Sequence, residues 1–159
     1  MELDKQIRQS PNDTAAHSRR GQLYAQYGSF PQAIRDFDTV IRLNPKDPEA
    51  LNNRCWTRAI VGDLQAALND CEAALQLRPR YADAFDSRGM VYLKLGKPRE
   101  AIMDYDSAVR LNPNHASALY GRGVAKVRSG DVAVGNSDIA LAKKIQRDIA
   151  EEFSKYGVR

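Results

Sequence analysis

The phrase "RLNP" stands at residues 42–45, returns as "QLRP" at 76–79, and stands again as "RLNP" at 110–113. The prolines that end the three copies lie 34 residues apart. A fixed period of this size is typical of proteins built from stacked helical hairpins. The sequence is therefore compared with itself at that offset.

At this offset small residues fall into matched columns. One column lies where a helix must end, and glycine is the residue that adopts a left-handed backbone at least cost; it holds Gly28, Gly62, Gly96 and Gly130. Two further columns hold Gly21, Cys55, Gly89 and Gly123, and Ala33, Ala67, Ala101 and Gly135. Matched small residues predict that two helices approach closely.

Large apolar columns lie between the small ones, and they follow the 3.6-residue period of an amphipathic helix. They include Ile34, Leu68 and Ile102; Phe37, Cys71, Tyr105 and Ile139; and Ile41, Leu75 and Val109. No strand-like alternation competes with this pattern. The columns predict first helices at 14–27, 48–61, 82–95 and 116–129, and second helices at 30–43, 64–77, 98–111 and 132–145.

The repeated pattern resembles the tetratricopeptide repeat family. Its residues are Gly21, Tyr24, Gly28, Ala33, Phe37 and Pro45, which recur as Gly89, Tyr92, Gly96, Ala101, Tyr105 and Pro113. The resemblance implies an all-α fold, a right-handed α-solenoid of helix-turn-helix repeats. It also implies a platform for partner proteins, a role for which the fold alone is weak evidence.

The expected organisation has six parts. Residues 1–13 are a half-repeat helix, 14–47, 48–81 and 82–115 are three repeats, 116–147 is a degenerate fourth, and 148–159 is a capping helix. Asp148 and Glu151 form a capping-box-like start of that last helix, and Ile149 and Phe153 share one of its faces.

Composition limits the classes of function. No apolar stretch is long enough to span a membrane. The net charge of +4 is spread along the chain without a long basic run, so it does not favour nucleic acid. Cys55 and Cys71 are interpreted as buried thiols, which favours a reducing, cytoplasmic compartment over an oxidising one.

Two charged columns share the period. Arg20, Arg54, Arg88 and Arg122 form one, and Asp36, Asp70, Asp104 and Asp138 form the other. Equivalent positions predict a repeated Arg–Asp ladder within the fold. Arginines engaged in such a ladder are not available to bind nucleic acid.

Nothing in the sequence points to catalysis. The only histidines, His17 and His115, lie in different repeats, and neither has a carboxylate or cysteine at metal-ligand spacing. No glycine-rich phosphate loop is present, because the recurrent glycines fall at helix junctions. We therefore expect a protein that is not an enzyme and has no cofactor, metal or catalytic residue.

A binding surface is expected on the first helices, which line the concave side of such arrays. The residues predicted to contact a partner in this groove are Arg19, Gln22, Asn52, Asn53, Trp56, Asp83, Asp86, Met90, Tyr120 and Val124. Trp56, Met90, Tyr120 and Val124 would form an apolar strip. The alternative is that these four side chains fill contacts between repeats.

The family resemblance also suggests what the groove does not bind. Relatives that hold the C-terminal carboxylate of heat-shock chaperones use Lys, Asn and Arg at fixed places. Asn53 matches one place, but the others are occupied by Ser18, Gln22, Asp83 and Ser87. Asp83 and Asp86 instead favour a basic or neutral segment, and Arg19 favours an acidic one.

The sequence thus predicts a non-catalytic adaptor that binds a peptide or helix of a partner protein. An alternative is self-association through the N-terminal edge, where Leu3 and Ile7 lack a neighbouring helix and would support a homodimer. Nucleic-acid binding is a third and less favoured hypothesis.

Overall fold

The computed structural model describes all 159 residues as ten α-helices without a strand. The helices are α1 (Glu2–Gln9), α2 (Thr14–Gln26), α3 (Phe30–Leu43), α4 (Pro48–Val61), α5 (Leu64–Leu77), α6 (Ala82–Lys94), α7 (Pro98–Leu111), α8 (Ala116–Arg128), α9 (Val132–Ile145) and α10 (Ile149–Lys155). The predicted all-α hairpin pattern is confirmed, and the bounds of α2 to α9 agree with the sequence to within one residue.

The ends of the helices are determined by local chemistry. Asp13 and Asp47 precede α2 and α4, and their carboxylates accept hydrogen bonds from main-chain N–H groups of the first turn. The column glycines predicted to end each first helix all have positive φ; they are Gly28, Gly62, Gly96 and Gly130. The hairpins therefore turn where the sequence indicates.

The N-terminal unit spans Met1–Arg78 and contains α1 to α5. Within it α2 pairs with α3, α4 pairs with α5, and α3 packs on α4. A Cβ atom at Gly21 would lie 2.8 Å from the Phe37 ring, so the absence of a side chain there lets α2 and α3 approach. Phe37 is fully buried and forms the centre of this hairpin.

The second hairpin of this unit corrects one expectation. Cys55 and Cys71 are fully buried, as expected, but they form a disulfide with their Cα atoms 5.5 Å apart, so the free-thiol interpretation is wrong. They occupy the columns of Gly21 and Phe37, which face each other across the hairpin. The hairpin geometry therefore brings the two sulfur atoms within bonding distance.

The C-terminal unit spans Pro79–Arg159 and contains α6 to α10. Here α6 pairs with α7, α8 pairs with α9, and α7, α6 and α10 all contact α8. Tyr105 is fully buried, with its ring against the backbone of Gly89 on α6 and its tip against Gly121 on α8. Its cluster also includes Leu119 and Phe153.

The predicted Arg–Asp ladder is confirmed in all four repeats. Arg20 donates from Nε and Nη2 to the two carboxylate oxygens of Asp36, at 2.8 and 2.7 Å. The same paired contact joins Arg54 to Asp70, Arg88 to Asp104 and Arg122 to Asp138. The carboxylates are buried, so each pair stabilises its hairpin more specifically than a surface ion pair does.

A second acidic column completes this ladder, and the sequence comparison missed it. Three of the arginines also donate to a carboxylate 16 residues before them: Arg20 to Asp4, Arg54 to Asp38, and Arg122 to Asp106. Each of these arginines thus bridges its own hairpin and the preceding helix. The signal was present, because the two acidic columns lie two residues apart.

Candidate partner-binding surfaces

The predicted site residues fall on two faces, one in each compact unit. We call the first the α2/α4 face; it carries Arg19, Gln22, Asn52, Asn53 and Trp56. We call the second the α6/α8 face; it carries Asp83, Asp86, Met90, Tyr120 and Val124. Helical register explains the grouping, since residues 34 apart occupy equivalent positions on successive first helices.

The α2/α4 face is accessible. Arg19 and Gln22 are exposed, and Asn53 and Trp56 are partly exposed. Asn52 is buried, so it does not offer its amide to a partner in this structure. Arg20, next to Arg19 in sequence, is turned inward and paired with Asp36. The face therefore combines one cation, two amides and an indole.

The α6/α8 face differs from what the sequence predicts. Asp83 is exposed and Tyr120 is partly exposed, but Asp86, Met90 and Val124 are buried. An apolar strip that includes Met90 and Val124 is therefore not exposed. Val124 belongs to the apolar cluster of the C-terminal unit, where the C-terminal helix supplies some of its neighbours.

A buried carboxyl group dominates the electrostatics of this face. Burial raises the pKa of Asp86 to about 6, although the Ser117 hydroxyl donates to it at 3.1 Å and the field of His115 favours its ionised form. His115 lies 2.9 Å from the carboxylate of Asp83, and this hydrogen bond lowers the pKa of Asp83. Asp83 is thus the accessible negative charge on the α6/α8 face.

The C-terminal segment, Ile149–Arg159, lies against the same face. The Phe153 ring centroid is 4.6 Å from that of Tyr120. Lys94 at the end of α6 donates to the main-chain carbonyl of Tyr156 at 2.8 Å. Arg128 at the end of α8 donates to the carbonyl of Arg159 at 2.9 Å. The segment therefore contacts both first helices of the unit.

Sequence reasoning found only part of this arrangement. The spacing of Ile149 and Phe153 indicated their buried face, and both side chains are buried. Nothing in the pattern indicated that Val158 is buried too, because it follows the helix and a turn at Gly157. Contacts of Lys94 and Arg128 with main-chain carbonyls leave no trace in the side-chain pattern.

Two other classes of site were sought in the structure. No group of three or more His, Cys, Asp or Glu side chains is arranged to hold a metal ion. None of the ten helices combines the length and the apolar character that crossing a membrane requires.

Solved structures with the same fold are numerous. The crystal structure of MamA has a TM-score of 0.75 at 23% identity, over 94% of this chain and 87% of that one. YrrB, described as a tetratricopeptide repeat protein with an unusual peptide-binding site, has 0.71 at 21%, over 99% and 81%. The first such domain of Spaghetti (RPAP3), bound to the HSP90 peptide SRMEEVD, has 0.64 at 23%, over 80% and 93%.

Sequence comparison supports the same assignment. A search of curated proteins found no match. Two family models, both described as tetratricopeptide repeat, match residues 18–84 and 82–115, which together are more than half of the chain. The glycine, alanine and aromatic columns of the hairpins and the Arg–Asp ladder account physically for this match. The chain belongs to the tetratricopeptide repeat family.

Proposed function

We propose that this protein is a non-catalytic adaptor that binds a peptide or short helix of a partner protein on its first helices. The observation that carries this proposal is the α2/α4 face, where the indole of Trp56 is partly exposed beside the polar groups of Arg19, Gln22 and Asn53. Aromatic side chains surrounded by adaptable polar groups contribute most of the binding energy in many protein interfaces.

The structural neighbours support the proposal at the level of function class. YrrB is described as having a peptide-binding site, and the Spaghetti domain is bound to a peptide that ends in EEVD. Both are below 25% identical to this chain, so neither defines its ligand. What the neighbours support is that first helices of this fold are suited to hold an extended or helical segment.

The charges of the two faces favour particular partners. Arg19 is an exposed cation on the α2/α4 face, and Asp83 is an exposed anion on the α6/α8 face. Ser18, Gln22, Asp83 and Ser87 stand where a carboxylate clamp needs basic or amide groups. A neutral or mixed-charge segment therefore fits these faces better than an acidic C-terminus does.

Nucleic acid is a poorer partner for this chain. The four column arginines donate to buried carboxylates within the hairpins. Their charge is compensated locally, which removes them from the phosphate-binding charge that a basic protein needs. Binding to a partner protein should accordingly weaken only moderately between low and physiological salt.

The test is affinity capture with Trp56→Ala beside the unaltered protein, followed by identification of the captured protein. Truncation of a hot-spot aromatic costs about 2 kcal/mol or more of binding free energy, so we expect capture to be lost. The matched control is Tyr27→Ala, which removes an aromatic that is 81% exposed at the end of α2. It should leave capture intact.

Thermal unfolding of the same variants separates binding from folding. We expect the midpoint of Trp56→Ala to stay close to that of the unaltered protein. If instead Trp56→Ala lost several kcal/mol of stability, as a cavity in a packed core does, the indole would be a packing residue and the proposed binding role would fail.

Self-association through the N-terminal edge is the second candidate. It is supported by α1, which has no buried residue and leaves Leu3 and Ile7 partly exposed. Replacing both by Ser should then abolish any dimer seen by light scattering. A monomer at all concentrations of the unaltered protein would exclude this candidate.

A further inference from the structure

The C-terminal segment (Ile149–Arg159) has the features of a bound peptide. Its apolar side chains Ile149, Phe153 and Val158 are almost completely buried, while its polar residues Glu151 and Lys155 are exposed. One side of a short helix thus lies against other helices of the unit, as an amphipathic peptide lies in a groove. This covered surface is part of the α6/α8 face.

Two cations of that face hold the main chain of the segment. Lys94 on α6 binds the carbonyl oxygen of Tyr156, and Arg128 on α8 binds that of Arg159. Carbonyl groups at the end of a helix have no partner within the helix, and a nearby cation also interacts favourably with the helix dipole. Both contacts would form with any segment that ends a helix at this place, whatever its side chains.

The segment depends on the face for its structure. A helix of seven residues, such as α10, is unstable in isolation, so α10 is formed through its contacts with the unit. Gly157 follows it with φ of +82°, a conformation that returns Val158 to the face. Burial lowers the pKa of Lys94, and burial with the charges of Glu152 and Asp86 raises that of Tyr156 to about 12.

We propose that the C-terminal segment is a built-in ligand, and that the α6/α8 face binds a partner's short amphipathic helix after displacing it. The partner segment would repeat the order seen in the chain: an aliphatic residue, an aromatic one four positions later, a second aromatic after three more, and an aliphatic residue beyond a turn. This order is that of Ile149, Phe153, Tyr156 and Val158. The inference rests on the proposed function and specifies the chemistry of the partner.

Release of the segment in the full-length chain provides the test. The release variant combines Gly157→Val, which places a β-branched residue at positive φ, with Val158→Asp, which puts a charge on a buried side chain. Neither change touches α6 or α8. Val134→Asp, at an exposed valine of α9, is the matched control for the added charge. The probe is a fluorescein-labelled peptide of residues 147–159, measured by fluorescence anisotropy.

We expect the release variant to bind the probe about tenfold or more tightly than the unaltered chain and Val134→Asp do, because the internal competitor is weakened. A probe with Ala at the positions of Phe153 and Tyr156 should not bind. Hydrogen exchange should quicken at 149–158 while α8 and α9 stay protected. The pKa of Tyr156 should fall towards its ordinary value of 10.

Three results would overturn the inference. If the segment is released but the folded variant does not bind the probe, the face is not a binding site for such a helix. If α8 and α9 lose their protection together with the segment, it is an integral part of the fold. If its amides still exchange only on global unfolding, it is not displaceable. Loss of capture by Trp56→Ala would stand in each case, so the proposed function is tested separately.

Discussion

The second and third repeats join their two helices by different chemistry at the same place. In the third repeat the bare backbone of Gly89 faces Tyr105, and a Cβ atom there would lie 2.8 Å from the ring. In the second repeat the equivalent residues are Cys55 and Cys71, which are linked by a disulfide across the same 16-residue separation. The hairpin register thus determines where the helices meet, and either a large ring or a covalent bond can close the contact.

The two repeats differ at a second matched position. Asn52 on α4 and Asp86 on α6 stand 34 residues apart, and both are buried. One is a neutral amide, and the other is a carboxyl group whose pKa burial raises to about 6. A buried amide keeps one protonation state at every pH near neutrality, whereas the carboxyl group makes its repeat sensitive to pH. Each substitution below changes one of these differences.

The largest effect is expected from removing the ring that closes the third repeat. Tyr105→Ala should lower the free energy of unfolding by about 3–5 kcal/mol, because the fully buried ring fills the space between α6, α7 and α8. Urea unfolding followed by circular dichroism measures this loss. A loss below about 1 kcal/mol would show that the helices close around the missing ring.

Tyr105→Phe is the matched control for that experiment. The Tyr105 hydroxyl is buried without a hydrogen-bond partner, and a buried unsatisfied hydroxyl costs about 1–3 kcal/mol. The Phe variant keeps the ring and removes this penalty, so its stability should equal or exceed that of the unaltered protein. A clear loss of stability in Tyr105→Phe would indicate that the hydroxyl is satisfied in solution.

Reduction of the disulfide should have the next largest effect, and it acts on the second repeat. A cross-link that closes a loop of this length stabilises a fold by about 3 kcal/mol in the chain-entropy description. We expect dithiothreitol to lower the unfolding midpoint, and Cys55→Ala with Cys71→Ala to lower it equally without any response to the reductant. Thermal unfolding with and without reductant checks both statements.

A conversion variant sharpens this comparison. Cys55→Gly with Cys71→Tyr gives the second repeat the residue pair of the third. If ring and disulfide are equivalent closures, this variant should regain part of the lost stability and should ignore the reductant. A variant less stable than the double alanine would show that the surroundings of the second repeat have no room for a ring.

The fold was largely predictable, and the site was not. Glycine, alanine and apolar columns recur at one period, so hairpin bounds and the Arg–Asp pairs could be read from positions alone. The burial of Met90 and Val124 was not predictable, because a column states that residues are equivalent without stating what covers them. The disulfide was missed for a related reason: Cys55 and Cys71 were assigned to columns separately, although those columns face each other.

The smallest of the three effects concerns the buried carboxyl of the third repeat. Asp86→Asn gives this repeat the neutral amide that the second has at Asn52. The pKa of Asp86 is about 6 in the folded chain against an ordinary 3.8, so the folded state binds more protons than the unfolded state between these values. Stability must then fall as pH rises through this window, and the carboxyl group weakens the fold above it.

The variant should escape this loss. We expect Asp86→Asn to match the unaltered protein near pH 4, where both side chains are neutral, and to exceed it above pH 7 by on the order of 2 kcal/mol. Urea unfolding at a series of pH values measures the difference. Asp83→Asn is the control, because the pKa of Asp83 is lowered by its hydrogen bond to His115 and its removal should give no gain at high pH. Equal stability of Asp86→Asn and the unaltered protein at every pH would mean that Asp86 stays solvated, and that the two repeats do not differ in their response to pH.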